Sequence, residues 1–396
     1  MDLRYSQEHQ AFQAEVRQFL TEEWPGQLPK ESAQRSEFLA RFRRKATERG
    51  YFYRGIPSRF GGSEQPADVV RARIIATEFA AARAPGEVSG IGMNMVVPTL
   101  LEVGSEEQRH LFIPRTVAGE IKWAQGYSEP GSGSDLASLR STAIQDGENW
   151  VINGHKIWTT RAFEADYMFA LLRTEPHAPK HAGISYILLD FRQLGVTVRP
   201  IKQINGGAEF CEVFLENVRA PLSWTVGKRG DGWAVSKVNL KHERNAVGSA
   251  RRSAPIFRSL VKLARDTQLN GRPAIEDPII RDRLAAIDGY MSAQLCSGDY
   301  QLTLASRGES SGVLGMTNKI ASTNLFQMIS ELASDIIGEA ALKAPGPEDS
   351  RGQGPEKWNN QILGSLALSI AGGTSNIQRN IVAERGLGLP RDPSGS

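Results

Sequence analysis

The sequence predicts an α+β multidomain protein in which a middle antiparallel β domain lies between two helical regions. Two observations carry this prediction. Apolar residues recur at helical spacing in the first and last parts of the chain, whereas in the middle the apolar period shortens to two and β-forming residues accumulate. We therefore expect three domains, at residues 1–121, 122–233 and 234–396.

The N-terminal region has the spacing of amphipathic helices. Ser105 and Gln108 form a capping box, which predicts the start of one helix. Four apolar residues near the N-terminus share one face of another helix, namely Phe12, Val16, Phe19 and Leu20. Loops are predicted at Gly61-Gly62 and at Ala84-Pro85-Gly86.

The middle region is predicted to contain short strands. Hairpin-type turns are expected at Asp146-Gly147 and Asn153-Gly154. Strand-like runs cover residues 149–152, 167–172, 184–189, 196–198 and 212–215. Short strands separated by Gly and Pro are typical of a small antiparallel barrel or sandwich.

The chain turns helical again after Gly232. Apolar stripes of helical period run from Leu240 to Ala264, from Ile280 to Met291 and from Leu325 to Ile336. Long helices with apolar stripes bury one another, so an antiparallel helical bundle is expected here.

Composition excludes several functional classes. The 396 residues carry a formal charge of +3 and are 40% hydrophobic, which favours an ordinary globular protein and argues against a nucleic-acid partner. With only Cys211 and Cys296, a disulfide framework or a multi-cysteine metal site is excluded. No apolar run is long enough for a membrane span, so a soluble, cytoplasmic protein is expected.

Familiar catalytic motifs are absent or lack their context. The sequence has no phosphate-binding P-loop and no dinucleotide-binding glycine motif. Gly308 to Gly312 matches G-x-S-x-G, but no strand precedes it, so a nucleophile elbow is not expected. His177 and His181 have helical spacing with Pro179 between them, and we predict no metal site.

Four segments are candidates for a ligand site. Tyr127 to Asp135 holds paired glycines and serines that let the backbone approach an anion, and Trp158-Thr159-Thr160 places an aromatic ring and two hydroxyls near one end of the β region. Ala371 to Arg379 joins two helical stretches through paired glycines. Lys241 to Arg244 sets a carboxylate beside cations near the start of a long helix. Alone, these segments are weak signals and are better explained as an ordinary loop, strand or solvated helix turn.

Taken together and in this order, these segments resemble those of the acyl-CoA dehydrogenase family, over essentially the whole chain. Tyr127 to Asp135 is similar to the family's T-E-P-x-A-G-S-D signature, with Ser128 for Thr and Ser132 for Ala. Ala371 to Arg379 is similar to its G-T-S-x-I-Q-R signature. The resemblance implies an N-terminal helical domain, a middle β domain and a C-terminal four-helix bundle.

The resemblance also implies a reaction. Family members bind FAD and oxidise an acyl-CoA thioester to the trans-2,3-enoyl-CoA, and a carboxylate removes the α-proton. The commoner position for that carboxylate is Gly372 in this chain, which has no side chain. The alternative position lies on the long helix just before an Arg, where this chain has Glu243-Arg244. Glu243 is therefore the expected catalytic base.

Further roles are carried over from the resemblance. The expected FAD contacts are Tyr127, Ser128, Gly133, Ser134, Trp158, Thr159, Thr160, Thr374, Ser375 and Asn376. The expected substrate contacts are Ser134, Arg244, Gly372 and Gly373. Electron-transfer flavoprotein is the expected electron acceptor.

Two departures from the family pattern concern assembly. Thr267 stands where many members have an Arg that reaches the FAD of a neighbouring subunit, and Asp335 and Glu339 replace residues of a Gln-x-x-Gly-Gly segment. Carboxylates beside phosphates repel them. This resembles the base-carrying subunit of α2β2 steroid side-chain dehydrogenases, so we expect either such a heterotetramer or a homo-oligomer.

Two alternatives to this activity stay open. A flavin enzyme of the same fold that uses O2 as an oxidase or monooxygenase fits the same motifs, and so does an assembly subunit of a heteromeric dehydrogenase. The carboxylate at Glu243 favours α-proton chemistry over the second alternative.

Overall fold

The computed structural model describes residues 5–247, 253–345 and 355–390, without the side chains of 242–247 and 355–356. Eleven α-helices and ten strands are found there. The helices are α1 (Gln7–Glu23), α2 (Ser32–Glu48), α3 (Val69–Ala81), α4 (Val97–Val103), α5 (Glu106–Ala118), α6 (Gly232–Val247), α7 (Ser253–Asp266), α8 (Pro278–Ser306), α9 (Gly312–Ile337), α10 (Pro355–Leu368) and α11 (Ser375–Ile381). The strands are β1 (Trp123–Gly126), β2 (Thr142–Asp146), β3 (Asn149–Thr160), β4 (Tyr167–Arg173), β5 (Ile184–Asp190), β6 (Val196–Pro200), β7 (Phe210–Pro221), β8 (Thr225–Val226), β9 (Gln268–Leu269) and β10 (Arg272–Pro273).

The predicted order of helical, β and helical regions is confirmed. In α1 the four predicted face residues are all buried, and the capping box of Ser105 and Gln108 begins α5 as expected. The apolar stripe from Leu240 to Ala264 extends over α6 and α7, on either side of residues 248–252, which lie outside the described part of the chain.

The middle region is one eight-stranded sheet. Its order is β6-β7-β3-β2-β4-β5-β8, and β1 pairs with β4. Most neighbours are antiparallel, as predicted, but β1 pairs with β4 and β2 with β4 in parallel. The hairpin-type turn signals do not anticipate these two pairings, because parallel neighbours are joined through long connections rather than through tight turns.

Strands β4 and β5 are buried on both faces, which explains their continuous apolar runs. Phe169 and Tyr186 pack with the N-terminal helices, whereas Met168 and Ile187 pack inside the curled sheet with residues of β3 and β7. One face of the sheet therefore shares a hydrophobic core with the N-terminal helices, and the other face forms a second core within the sheet. A third core lies between α7, α8, α9 and α10.

A buried ion pair holds the segment that follows β1. The Lys156 ammonium on β3 is fully buried and donates to Glu129 Oε1 at 2.8 Å, to the Leu171 carbonyl at 2.8 Å and to the Tyr127 carbonyl at 3.3 Å. The Glu129 carboxylate also accepts from the backbone N–H groups of Arg140 at 2.6 Å and Ser141 at 2.9 Å. All three ammonium protons and both carboxylate oxygens are therefore engaged.

The pKa values of Lys156 and Glu129 are both shifted by burial and by the contacts within the pair. Burial lowers the pKa of Lys156 from 10.5 to about 8, although Glu129 acts in the opposite direction. Burial acts to raise the pKa of Glu129, but the Lys156 charge and the donors at Ser141 and Arg140 outweigh it, so this pKa lies below its ordinary value. The carboxylate is thus ionised at neutral pH and the segment after β1 is anchored.

We predict that Glu129→Gln lowers the free energy of unfolding by about 3–5 kcal/mol at neutral pH, because it leaves the Lys156 charge buried without a counter-charge. The folded-state pKa of Glu129 is depressed, so its contribution is present above the ordinary value of 4.5 and is lost as pH falls through the folded-state pKa. Urea unfolding of both proteins between pH 7 and pH 3 measures this.

The control for this experiment is Glu148→Gln, which changes an exposed carboxylate on the turn between β2 and β3. It should leave stability unchanged within about 0.5 kcal/mol. A difference between wild type and Glu129→Gln that stays constant from pH 7 to pH 3 would contradict the prediction.

Candidate active site

Four segments meet in one cleft of about 410 Å3, which we call the junction cleft. They are the segment after β1, the end of β3, one face of α6 and the segment from 372 to 385. Seven of the predicted site residues line it, namely Tyr127, Ser128, Gly133, Ser134, Trp158, Gly372 and Gly373. The structure thus brings together residues that are up to about 250 positions apart in the sequence.

Two short backbone contacts shape the segment after β1. Glu129 and Ser132 exchange backbone hydrogen bonds of 2.9 Å, which close a tight turn, and the Ser128 carbonyl accepts from the Ile157 N–H at 2.9 Å. The Ser132 hydroxyl donates to the Asp135 carbonyl at 2.9 Å. Ser132 is therefore a turn-forming residue, and Gly133 next to it is left exposed at the cleft.

Trp158 is the residue of β3 with the least usual conformation. Its φ is +60°, in the left-handed region that L-residues rarely adopt, and the β3–β7 register shifts between Lys156 and Thr159. The indole remains 58% exposed and lies edge-on to Phe210. Such strain is found where a structure fixes a functional side chain, and here it turns a large aromatic ring into the cleft.

The structure does not place the two threonines after Trp158 in the junction cleft. Thr159 is buried, and its hydroxyl has no hydrogen-bond partner among the described residues. Thr160 lines another cavity, of about 480 Å3, together with Gly92 and Trp123. The irregularity at Trp158 explains this result, because it breaks the alternation that would direct residues 158 and 160 to the same side of the strand.

Paired glycines bring the chain between α10 and α11 to the cleft. Gly372 and Gly373 have φ of +65° and +88°, values that favour glycine. The Gln378 amide donates to the Gly372 carbonyl at 3.1 Å, and a Cβ on Gly373 would lie 2.6 Å from the same amide. Backbone rather than side chain therefore forms this wall of the cleft.

Three predicted FAD contacts lie at the start of α11 and do not line the cleft. Thr374 caps this helix by accepting from the Ile377 N–H at 3.2 Å, and the Ser375 N–H donates to the Ser369 carbonyl at 2.9 Å. The exposed Asn376 accepts from Arg379 at 3.3 Å. Their observed contacts are those of a helix start, and their predicted role in binding FAD stays a prediction.

A buried polar network holds α6 against the cleft. Asn239 on α6 accepts from the Tyr127 hydroxyl at 3.0 Å, and its amide nitrogen lies 3.0 Å from the Thr99 hydroxyl, 3.3 Å from the Met95 carbonyl and 3.3 Å from the Tyr186 hydroxyl. Burial raises the pKa of Tyr186 well above its ordinary value, so this phenol stays neutral. One side chain thus connects α6 with α4, β5 and the segment after β1.

The predicted base follows on the same helix. Glu243 comes four residues, about one helical turn, after Asn239 within α6, and Arg244 is the next residue. The side chains of Glu243 and Arg244 lie outside the described residues. The structure therefore shows that both residues belong to α6, and the roles of Glu243 as base and of Arg244 as substrate contact stay predictions.

Sequence reasoning missed several residues that line the junction cleft. Gln125 precedes the first signature, and Gln378 lies inside the last one. Trp233, Lys237 and Leu240 share one face of α6, so the helical period starting from Trp233 would have identified them. No described residue lining the cleft is a carboxylate, whereas Lys237 and Arg385 are cationic, which suits an anionic ligand.

Neither a metal-binding cluster nor a membrane-spanning helix is found in the described part of the chain. No cluster of three or more His, Cys, Asp or Glu side chains arranged to hold a metal ion is found among the described residues. His181 instead packs against Trp233, with ring centroids 4.6 Å apart. In the part of the chain that the structure describes, no helix combines the length and apolar character needed to cross a membrane.

Family models match three consecutive parts of the chain. They are the acyl-CoA dehydrogenase N-terminal domain at residues 6–120, middle domain at 124–218 and C-terminal domain at 230–387. Among curated proteins, the chain is 40% identical over 322 residues to acyl-CoA dehydrogenase IpdE1 of Mycobacterium tuberculosis, covering 80% of each chain. It is 35% identical to IpdE1 of Mycolicibacterium smegmatis, covering 98% of this chain and 100% of the relative.

Solved structures agree with this result. The chain is similar to a chain of the ChsE4-ChsE5 complex from Mycobacterium tuberculosis, with a TM-score of 0.76, 27% identity and coverage of 99% and 100%. It is also similar to a chain of the Tcur3481-Tcur3483 steroid ACAD, with a TM-score of 0.77, 28% identity and the same coverage. This chain belongs to the acyl-CoA dehydrogenase family, whose members are FAD-dependent oxidoreductases.

Proposed function

We propose that this chain catalyses the FAD-dependent oxidation of an acyl-CoA thioester to the trans-2,3-enoyl-CoA. The observation that carries this proposal is the junction cleft, where the two family signatures, the exposed Trp158 ring and helix α6 come together. Family membership supplies the class of reaction, and the cleft supplies a place for it.

The residues that line the junction cleft are suited to binding FAD. The exposed Trp158 ring offers a flat surface to an aromatic ligand, and a Cβ at Gly133 would meet nothing within 4 Å, so the cleft has free space there. When bound, FAD supplies the acceptor for the hydride that leaves the β-carbon.

This chain's own residues handle the proton and the developing charge. We propose that Glu243 removes the α-proton, since Gly372 cannot do so and no carboxylate among the described residues lines the cleft. Proton removal places negative charge on the thioester oxygen, which backbone donors at a glycine-rich wall stabilise. The Gly372 N–H is the proposed donor, and Arg244, Gly373 and Ser134 are proposed to contact the substrate.

We also propose that this chain assembles with a second kind of dehydrogenase subunit. The proposed electron acceptor is electron-transfer flavoprotein. Asp335 is 60% exposed on α9, where it pairs with Arg283, and Glu339 is exposed just beyond that helix. These carboxylates would repel the phosphates of a neighbour's FAD. Two similar solved structures are those of the ChsE4-ChsE5 complex and of the Tcur3481-Tcur3483 steroid ACAD, which supports an assembly with a second kind of subunit.

The assembly proposal predicts that the chain purified alone retains FAD at well below one equivalent. The reason is that a copy of this chain cannot complete the phosphate end of its neighbour's site. Flavin absorbance per protein, combined with native mass, measures this. A homogeneous homo-oligomer with one FAD per chain would contradict it.

The cofactor proposal predicts that Gly133→Leu raises the dissociation constant for FAD at least about tenfold. The new side chain has room in the protein, and it fills the cleft that the ligand needs. Equilibrium dialysis with excess FAD measures binding without turnover. The matched control is Gly131→Leu, two residues away, which also has open space but does not line the cleft. Equal FAD binding by both variants would contradict the placement.

The mechanism predicts that Glu243→Gln slows anaerobic flavin reduction by an acyl-CoA at least about 100-fold, because the amide cannot accept the α-proton. Acyl-CoA binding should change little, since the side chain keeps its size. Stopped-flow absorbance of flavin-loaded protein measures the rate.

The matched control is Glu331→Gln, at an exposed position on α9. It should reduce flavin at the wild-type rate. Unchanged reduction by Glu243→Gln would refute the assignment of the base, and H2O2 formed during aerobic turnover would favour the oxygen-using alternative.

A further inference from the structure

A larger cavity of about 820 Å3, which we call the bundle cavity, adjoins the junction cleft. It lies between α3, α6, α8 and α9. Gln378, Ile381 and Arg385 line both spaces, and Lys241 on α6 opens onto the bundle cavity one turn after Lys237 of the cleft. The two spaces are therefore neighbours, so this cavity lies next to the place proposed for the thioester.

Lys319 on α9 lines the bundle cavity and has few partners among the described residues. It is only 3% exposed, and the single hydrogen bond that it makes to a described residue is a long one of 3.4 Å to the Ser369 carbonyl. Asp299 is the one carboxylate among the described lining residues, and it pairs with Arg73. Burial lowers the pKa of Lys319, as expected for an ammonium removed from water.

A second polar group on a residue that lines this cavity lacks a partner in the described part of the chain. The Oε1 atom of Gln294 on α8 is buried and accepts no hydrogen bond from any described residue. Two other residues that line the cavity behave differently, because Gln301 and Asn318 satisfy each other through two hydrogen bonds of 2.9 Å. Buried polar groups are normally paired. A lysine with one long hydrogen bond and an amide oxygen with none, on two residues that line the same cavity, therefore indicate that a ligand supplies the missing partners.

We propose that the acyl group accepted by this chain carries an oxygen function remote from the thioester, and that Lys319 and Gln294 recognise it. A ketone or carboxylate oxygen accepts from the Lys319 ammonium, and a hydroxyl additionally donates to Gln294. A plain alkyl chain would leave both groups unsatisfied, which a polar site penalises more strongly than a missing methylene. This inference rests on the proposed function, because it assumes that the thioester lies in the junction cleft.

A purely structural role for Lys319 makes a different prediction. The Ser369 carbonyl lies just beyond the end of α10, so Lys319 could serve only to satisfy a helix end. In that case its replacement lowers thermal stability and affects all thioesters alike. The preference for oxygenated over plain thioesters therefore distinguishes ligand recognition by Lys319 from a purely structural role, whereas activity alone does not.

The test compares three thioesters of equal chain length on flavin-loaded protein under anaerobic conditions. They are octanoyl-CoA, the same thioester with a ketone next to its last carbon, and octanedioyl-CoA. Wild type should bind at least one oxygenated thioester about ten- to a hundredfold more tightly than octanoyl-CoA, the size of a hydrogen bond to a charged group. Lys319→Met should lose this preference while its affinity for octanoyl-CoA stays within about twofold.

The control is Lys262→Met, at a lysine on α7 that pairs with Asp266 and lies outside both cavities. It should keep the wild-type preference. If Lys319→Met does not fold, Gln294→Ala replaces it in the test, and this variant should reduce the preference for the oxygenated thioester severalfold. No preference in wild type, or an equal loss for all three thioesters in Lys319→Met, overturns the inference.

Flavin reduction in the same samples separates this inference from the proposed function. If all three thioesters bind equally and all reduce the flavin, the dehydrogenase function stands and the role of Lys319 is refuted. If none reduces the flavin, the proposed function fails whatever the binding preference shows.

Discussion

The candidate site depends on the buried ion pair between Lys156 and Glu129. It connects β3, β4 and the segment after β1, and it uses every proton of the ammonium and both oxygens of the carboxylate. A buried pair of this kind adds little net stability compared with apolar packing, but it permits one arrangement of the backbone. Here that arrangement holds Ser128 against Ile157 and leaves Gly133 and Ser134 open at the junction cleft.

The same region stores conformational strain where the ligand is proposed to bind. Trp158 has a positive φ immediately after the anchored Lys156 and Ile157, so the ion pair holds the strand on one side of the strained residue. On the opposite wall, Gly372 and Gly373 adopt left-handed conformations. The Asn239 network then fixes α6 between these walls. A rigid cleft of this kind needs little reorganisation when a ligand binds, which is the advantage of preorganisation.

The sequence predicted the order of domains, the face of α1 and five of the eight strands of the sheet, because these depend on local periodicity. The hairpin turn predicted at Asn153-Gly154 was wrong, since both residues lie inside β3. The sequence also predicted seven residues of the junction cleft, through two signatures and the aromatic residue on β3. It did not predict that Thr160 would line another cavity, because a register shift is not visible in strand periodicity. The buried Lys319 could not be anticipated either, since the cavity that it lines brings α9 together with α3 and α6, which are distant in sequence. The domain boundaries and the roles of Glu243 and Arg244 stay predictions.

The central claim is that one cleft holds both the flavin and the thioester so that an acyl chain loses two hydrogens from neighbouring carbons. An anaerobic single turnover tests it most directly: flavin-loaded protein is mixed with a saturated acyl-CoA, and the recovered thioester is analysed by mass spectrometry. One enoyl-CoA, lighter by two hydrogens, is expected for each flavin bleached. Recovery of the saturated thioester unchanged, with both flavin and thioester shown to be bound, would contradict it.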